Sequence, residues 1–65
     1  MSQRETTLLW LKDLLEQVLA TEQQLEWTEN PEAFRLLTDS MTRDLERCQR
    51  LCAALQRRAN LVQAG

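Results

Sequence analysis

One glycine, the last residue, and one proline are all the turn-forming material in this chain of 65 residues. That scarcity leaves a chain that is helical throughout, apart from a single joint and its ends. Histidine is absent, which removes the commonest metal ligand and the commonest general base. Cysteine occurs twice, at Cys48 and Cys52, too few for the disulfide framework of a small secreted domain. The longest apolar run is Leu8-Leu9-Trp10-Leu11, far short of the roughly 18 residues of a membrane span. Met1-Ser2-Gln3-Arg4-Glu5 offers an acid and no extended apolar stretch of the signal-peptide kind. A reduced, cytoplasmic setting is expected, with no membrane role. A chain of this length buries only about 60% of its unfolded surface and is marginal alone. Small chains offset that with disulfides, a metal or a partner, and here only the partner is left.

What the sequence does contain is organised around Thr28-Glu29-Asn30-Pro31. Asn30 is a favoured N-cap, whose side-chain oxygen can accept from an orphaned amide in the next turn. Pro31 suits the first helical position, where its missing N–H costs nothing. It also pushes Asn30 out of the α region, so a preceding helix must stop there. Glu32 places negative charge at the positive end of the second helix dipole. Upstream, Ser2-Gln3-Arg4-Glu5 has the form of a capping box. The spacing therefore predicts a first helix over about 3–28, a joint over 28–31 and a second, longer helix over about 31–63.

The two arms differ in charge. Residues 1–30 carry six acids against two bases, and residues 31–65 carry six arginines against four acids. Helices joined by so short a link lie antiparallel, which sets the acidic arm beside the basic one. Exposed pairs contribute less than about 1 kcal/mol each, so charge favours this arrangement without driving it. The expected fold is all-α: residues 1–65 form one antiparallel two-helix hairpin of coiled-coil type.

Seams at three- and four-residue steps are visible on both arms. The first reads Leu8, Leu11, Leu15, Val18 and Leu25, passing over Glu22, with Trp10, Leu14 and Leu19 widening the stripe. Leu9 and Trp27 fall on the opposite side. The second reads Phe34, Leu37, Met41, Leu45, Cys48, Cys52, Leu55, Ala59 and Val62, the knobs-into-holes spacing of paired helices. Leu51 flanks it, Leu36, Ala54 and Leu61 drift off it, and Arg43, Arg47, Arg50 and Arg57 lie on the outer face.

Each candidate for chemistry has a plainer explanation. Cys48 and Cys52 lie four apart on the expected seam, where helical geometry suits a disulfide poorly. Zinc would need further ligands from elsewhere. They read as small buried apolar residues. Glu22 is expected near the open edge of the seam, reaching solvent or pairing with Arg35 or Thr38. The arginine stripe is interrupted by Asp39, Asp44 and Glu46 in a chain of net charge −2, whereas phosphate-driven binding wants a clear positive excess. Neither nucleic acid, nor metal, nor cofactor, nor catalysis is expected. The apolar surplus is more informative. A pair of helices needs about one 100° stripe from each, yet Leu9, Trp10 and Leu14, with Leu36, Leu51 and Leu61, stay at least partly uncovered. Tryptophan is enriched at binding hot spots, so a protein–protein interface is expected. Its partner is either another protein or a second copy.

The segment Pro31-Glu32-Ala33-Phe34-Arg35-Leu36-Leu37, continuing into Asp44-Leu45-Glu46, resembles the small YscE-type co-chaperones of bacterial type III secretion. Phe34 stands where a tyrosine is associated with that family. The resemblance implies a helical hairpin that pairs with a tetratricopeptide-like chaperone in the bacterial cytoplasm. Together the two keep the needle subunit monomeric and soluble before export. On that reading Trp10, Leu11, Leu14, Leu15, Phe34, Leu37 and Met41 contact the partner, and the hairpin could dimerise when alone. The competing expectation is a non-enzymatic adaptor, or a homodimeric four-helix bundle, unrelated to secretion.

Overall fold

The computed structural model describes the backbone of residues 2–64 and the side chains of residues 2–60. Two helices make up the molecule: α1, Gln3–Trp27, of 25 residues, and α2, Pro31–Ala64, of 34 residues. They pack against each other as a hairpin with extents of 53 × 19 × 12 Å. At about 1.5 Å per residue α2 alone accounts for the long dimension. Gln3 at the start of α1 accepts a hydrogen bond from Arg58, so α2 runs on beyond the end of its partner.

The ends of the helices follow the sequence signals closely. Ser2 is extended, and its hydroxyl accepts from the Glu5 amide at 3.1 Å. At the joint, Asn30 Oδ1 accepts from the amides of Glu32 at 2.9 Å and Ala33 at 3.1 Å. The Asn30 carbonyl takes the first intrahelical bond, from the Phe34 amide at 2.9 Å. Pro31 has no N–H to place, so the first turn of α2 has few orphan donors left. Thr28 closes α1 in an extended conformation, its amide bonded to the Leu25 carbonyl and its hydroxyl to that of Gln24.

The seam differs in register from the one the apolar pattern favours. On α1 the seam runs through Thr7, Leu11, Leu14, Val18, Thr21 and Leu25 and continues to Thr28 at the cap, again at three- and four-residue steps. Leu14 and Thr21 replace Leu15 and Glu22, and Leu8 gives way to Thr7. The seam threonines satisfy their hydroxyls on their own helix: Thr7 donates to the Gln3 carbonyl, Thr21 to that of Gln17 and Thr28 to that of Gln24. Glu22 is exposed, outside the seam. Neither of its expected partners is engaged with it: Arg35 pairs with Asp39 at 3.7 Å and the Thr38 hydroxyl donates to the Arg35 carbonyl.

On α2 the seam runs through Leu37, Met41, Asp44, Cys48, Leu51, Leu55 and Arg58. Leu51 lies in it, where the pattern placed it at the flank. Leu45, Cys52 and Ala59, expected inside, are exposed. Phe34, expected as the first seam residue of α2, is 44% exposed. The expected seam position Val62, and Leu61 beside it, lie outside the described side chains. Cys48 is the one apolar residue classed as buried among the described residues, and no large side chain is fully buried. The core is a single shallow seam.

Candidate functional site

A seam at this spacing divides the rest of each helix into two flanks. In an antiparallel pair, the position just before each seam residue lies on one side of the hairpin for both helices. The position just after lies on the other side. The "before" positions on α1 include Trp10, Asp13, Gln17, Gln24 and Trp27. On α2 they include Leu36, Arg43, Arg47, Arg50 and Arg57. Both tryptophans and four of the six arginines of α2 thus share one face. The "after" positions are Leu8, Lys12, Leu15, Leu19, Glu22 and Glu26 on α1, with Leu45 and Cys52 among those on α2. This second face is rich in leucine.

Grooves open on both faces. On the arginine–tryptophan face, Trp10, Asp13 and Leu14 of α1 meet Arg47, Arg50 and Leu51 of α2 around a hollow of about 410 Å³. Toward the joint on the same face, Gln24, Trp27 and Thr28 face Ala33, Leu36 and Leu37 around a wider depression of about 520 Å³. Trp10 is 59% exposed and Trp27 84% exposed, so neither indole is covered by the hairpin itself. On the leucine face, Leu8, Leu11, Leu15 and Leu19, with Lys12 and Glu16, line a shallow groove of about 340 Å³ along α1.

Comparison with protein-family models, with curated proteins and with solved structures returns no match.

The seven residues expected to contact a partner do not form one surface. Trp10 and Leu14 line the arginine-rimmed hollow, and Leu37 lines the depression near the joint on the same face. Leu11 and Leu15 line the groove on the leucine face. Met41 is a half-buried seam residue, and Phe34 is exposed at the closed end without lining any of these grooves. The spacing gave no prominence to Trp27 as a contact, nor to Leu51, Arg47 and Arg50 as walls of a groove. Their signal was present in the sequence, because each has a fixed offset from a seam residue or belongs to the seam. It becomes readable only once the register is known.

Two acids give the site its electrostatic detail. Asp44 is 3% exposed, in the seam. Arg47 lies 3.7 Å from its Oδ1, and its Oδ2 is buried without a hydrogen-bond partner. Glu22, fully accessible on the leucine face, has its pKa raised from 4.5. A hydrogen bond with the Glu26 carboxyl one turn on is the main cause, followed by repulsion from the same group and a little desolvation. Two carboxyls spaced i,i+4 on a helix repel when both are ionised, and a shared proton relieves the repulsion. Nothing in either arrangement supplies a reacting group held in a pocket.

Proposed function

We propose that this hairpin is a small co-chaperone of the YscE type. On this reading it braces a tetratricopeptide-like chaperone in the bacterial cytoplasm, and the pair keeps a secretion needle subunit monomeric and soluble before export. The resemblance of Pro31-Glu32-Ala33-Phe34-Arg35-Leu36-Leu37 supports the family. The observation that carries the need for a partner is surface area. The hairpin exposes 5388 Å², whereas a compact monomer of its 7.6 kDa exposes about 4,300 Å² by the usual scaling. Part of the surplus belongs to the rod shape. The whole surplus, about 1,100 Å² by that scaling, compares with the ~800 Å² that each partner buries in a standard interface. Uncovered tryptophan on one face and uncovered leucine on both support a reading in which part of that surplus is bound.

The test is co-expression with the tetratricopeptide-like chain encoded nearest to this gene, followed by capture on a tagged hairpin. Trp10→Ala and Leu14→Ala should each reduce capture at least tenfold, the size expected at a hot spot. Gln23→Ala, at an exposed position on the outer side of α1, should leave it unchanged. Capture that survives both apolar substitutions removes Trp10 and Leu14 from the interface. The absence of any such partner among the proteins that copurify from the native host counts against the co-chaperone reading altogether. The leucine face favours one other reading, a homodimeric four-helix bundle, which sedimentation of the isolated chain would reveal.

A further inference from the structure

We infer that the arginine–tryptophan face is the docking surface, and that its occupant is an acidic amphipathic helix of a separate protein chain. The inference rests on reading the hairpin as one half of a protein complex, and it names the face and the chemistry of the other half.

Charge complementarity selects the occupant. Arg43, Arg47, Arg50 and Arg57 stand on this face, all exposed, against one acid, Asp13. Among the described residues only Arg47 of these four has an ion-pair partner, Asp44. The hollow between Trp10, Leu14 and Leu51 is apolar at its floor, and Arg47 and Arg50 form its wall on α2. An apolar side chain set in that hollow would bring neighbouring carboxylates within reach of the guanidiniums, whose planar fork matches a carboxylate. The second depression, beside Trp27, Leu36 and Leu37, repeats the apolar floor further along. Trp10 and Trp27 are 17 residues apart on one helix, a separation of about 25 Å. One helix of roughly 17–20 residues lying along the face fills both grooves, reading as apolar anchors at three- and four-residue steps with acids beside them.

Two other occupants fit less well. Nucleic acid would make use of the arginines, but it meets Asp13 in the hollow and the net negative charge of the chain, and it needs no apolar floor of this shape. A second copy could offer its own α1, which carries Leu8, Leu15 and Leu19 beside Glu16, Glu22 and Glu26. That contact joins unlike faces, however, and repeats into a ring or an open array instead of closing as a two-fold pair. A separate chain avoids both problems.

The probe is a synthetic helical peptide of about 20 residues, free of tryptophan, with leucines at three- and four-residue steps and glutamates beside them. Binding is read from the fluorescence of the hairpin's own tryptophans and from the anisotropy of a labelled peptide. The glutamate peptide should bind at least tenfold more tightly than the same peptide with glutamine at those positions, and the difference should shrink in 0.5 M salt. The double variant Arg47→Glu/Arg50→Glu should lose at least tenfold in affinity with its helical circular dichroism unchanged. Trp10→Ala should weaken both peptides alike, and Gln49→Glu, at an exposed position on the opposite face, should change neither. Equal binding of the two peptides overturns the inference, as does tighter binding of a 20-nucleotide single strand. Concentration-dependent growth of the hairpin into open oligomers, abolished by Arg47→Glu/Arg50→Glu, assigns the face to a second copy and overturns it too. Capture of a tetratricopeptide-like partner that persists in the arginine double variant defeats this inference and leaves the co-chaperone reading standing. A hairpin that captures no such partner but discriminates between the peptides defeats the co-chaperone reading and leaves the face assigned.

Discussion

Asp44 is an acid in the seam and Glu22 an acid beside it, and their surroundings treat them in opposite ways. Asp44 is buried with one oxygen unsatisfied, and an unmet buried polar group costs about 1–3 kcal/mol. Asp44→Leu removes that cost and extends the apolar seam, so its urea midpoint should rise by the equivalent of about 1–3 kcal/mol. A midpoint at or below wild type would show that the Arg47 contact more than compensates for burial. Glu22 is in water, and its difficulty is Glu26. Because its pKa is raised when folded, the folded state holds the Glu22 proton more tightly than the unfolded chain does. That advantage is complete below the ordinary value of 4.5 and is lost as pH rises through the raised value. Glu22→Gln should therefore melt higher than wild type at pH 7, and the two should converge below pH 4. Melting curves at both pH values decide it, and a constant difference across the range would rule out the shared proton.

The helices are specified by their ends and oriented by their seam. Asn30 Oδ1 holds two amides of α2, so Asn30→Ala should destabilise the hairpin by about 1 kcal/mol and Asn30→Asp by much less. Chemical denaturation reports both. The register of α2 has a chemical test as well, because Cys48 is buried and Cys52 exposed. In the native protein a thiol reagent should modify Cys52 rapidly and Cys48 only on the timescale of unfolding. Equal protection of the two would restore the register in which both cysteines face α1. Two registers were legible on each arm. On α1, Leu8-Leu11-Leu15-Val18 and Thr7-Leu11-Leu14-Val18-Thr21 are both spaced correctly and share Leu11 and Val18. Hydropathy alone prefers the first, which contains more leucine. It does not register that a helical threonine can return its hydroxyl to its own backbone, as Thr7 and Thr21 do, whereas Glu22 in the seam would bury a carboxylate. Rotating α1 that way obliges α2 to turn with it, bringing in Asp44 and turning out Leu45 and Cys52.

As a whole the molecule is one seam between two long helices, with apolar material left over on both sides. A hairpin with no large side chain fully buried among its described residues has little stability of its own to lose. Binding of a partner to the folded state alone should raise it by about 2.7 kcal/mol at a partner concentration 100-fold above Kd. The melting temperature of the hairpin should thus climb with added partner, or with the acidic peptide. A melting temperature indifferent to saturating ligand would mean that the folded hairpin is not the species bound. No described helix is long and apolar enough to cross a membrane, so the surplus leucine and tryptophan are not accounted for by a membrane span.

The sequence by itself determined the two helices, their boundaries and their antiparallel pairing. Those depend on local chemistry: an asparagine cap, a proline at the first helical position and a link too short for any other arrangement. Tertiary structure decided which side of each helix faces the other. That choice weighs every seam position of both helices at once, and a one-step rotation left Leu11, Val18, Leu37 and Cys48 in place while exchanging their neighbours. Only after that rotation do Trp10, Trp27 and the arginines of α2 fall on a common face, because the seam fixes what flanks it.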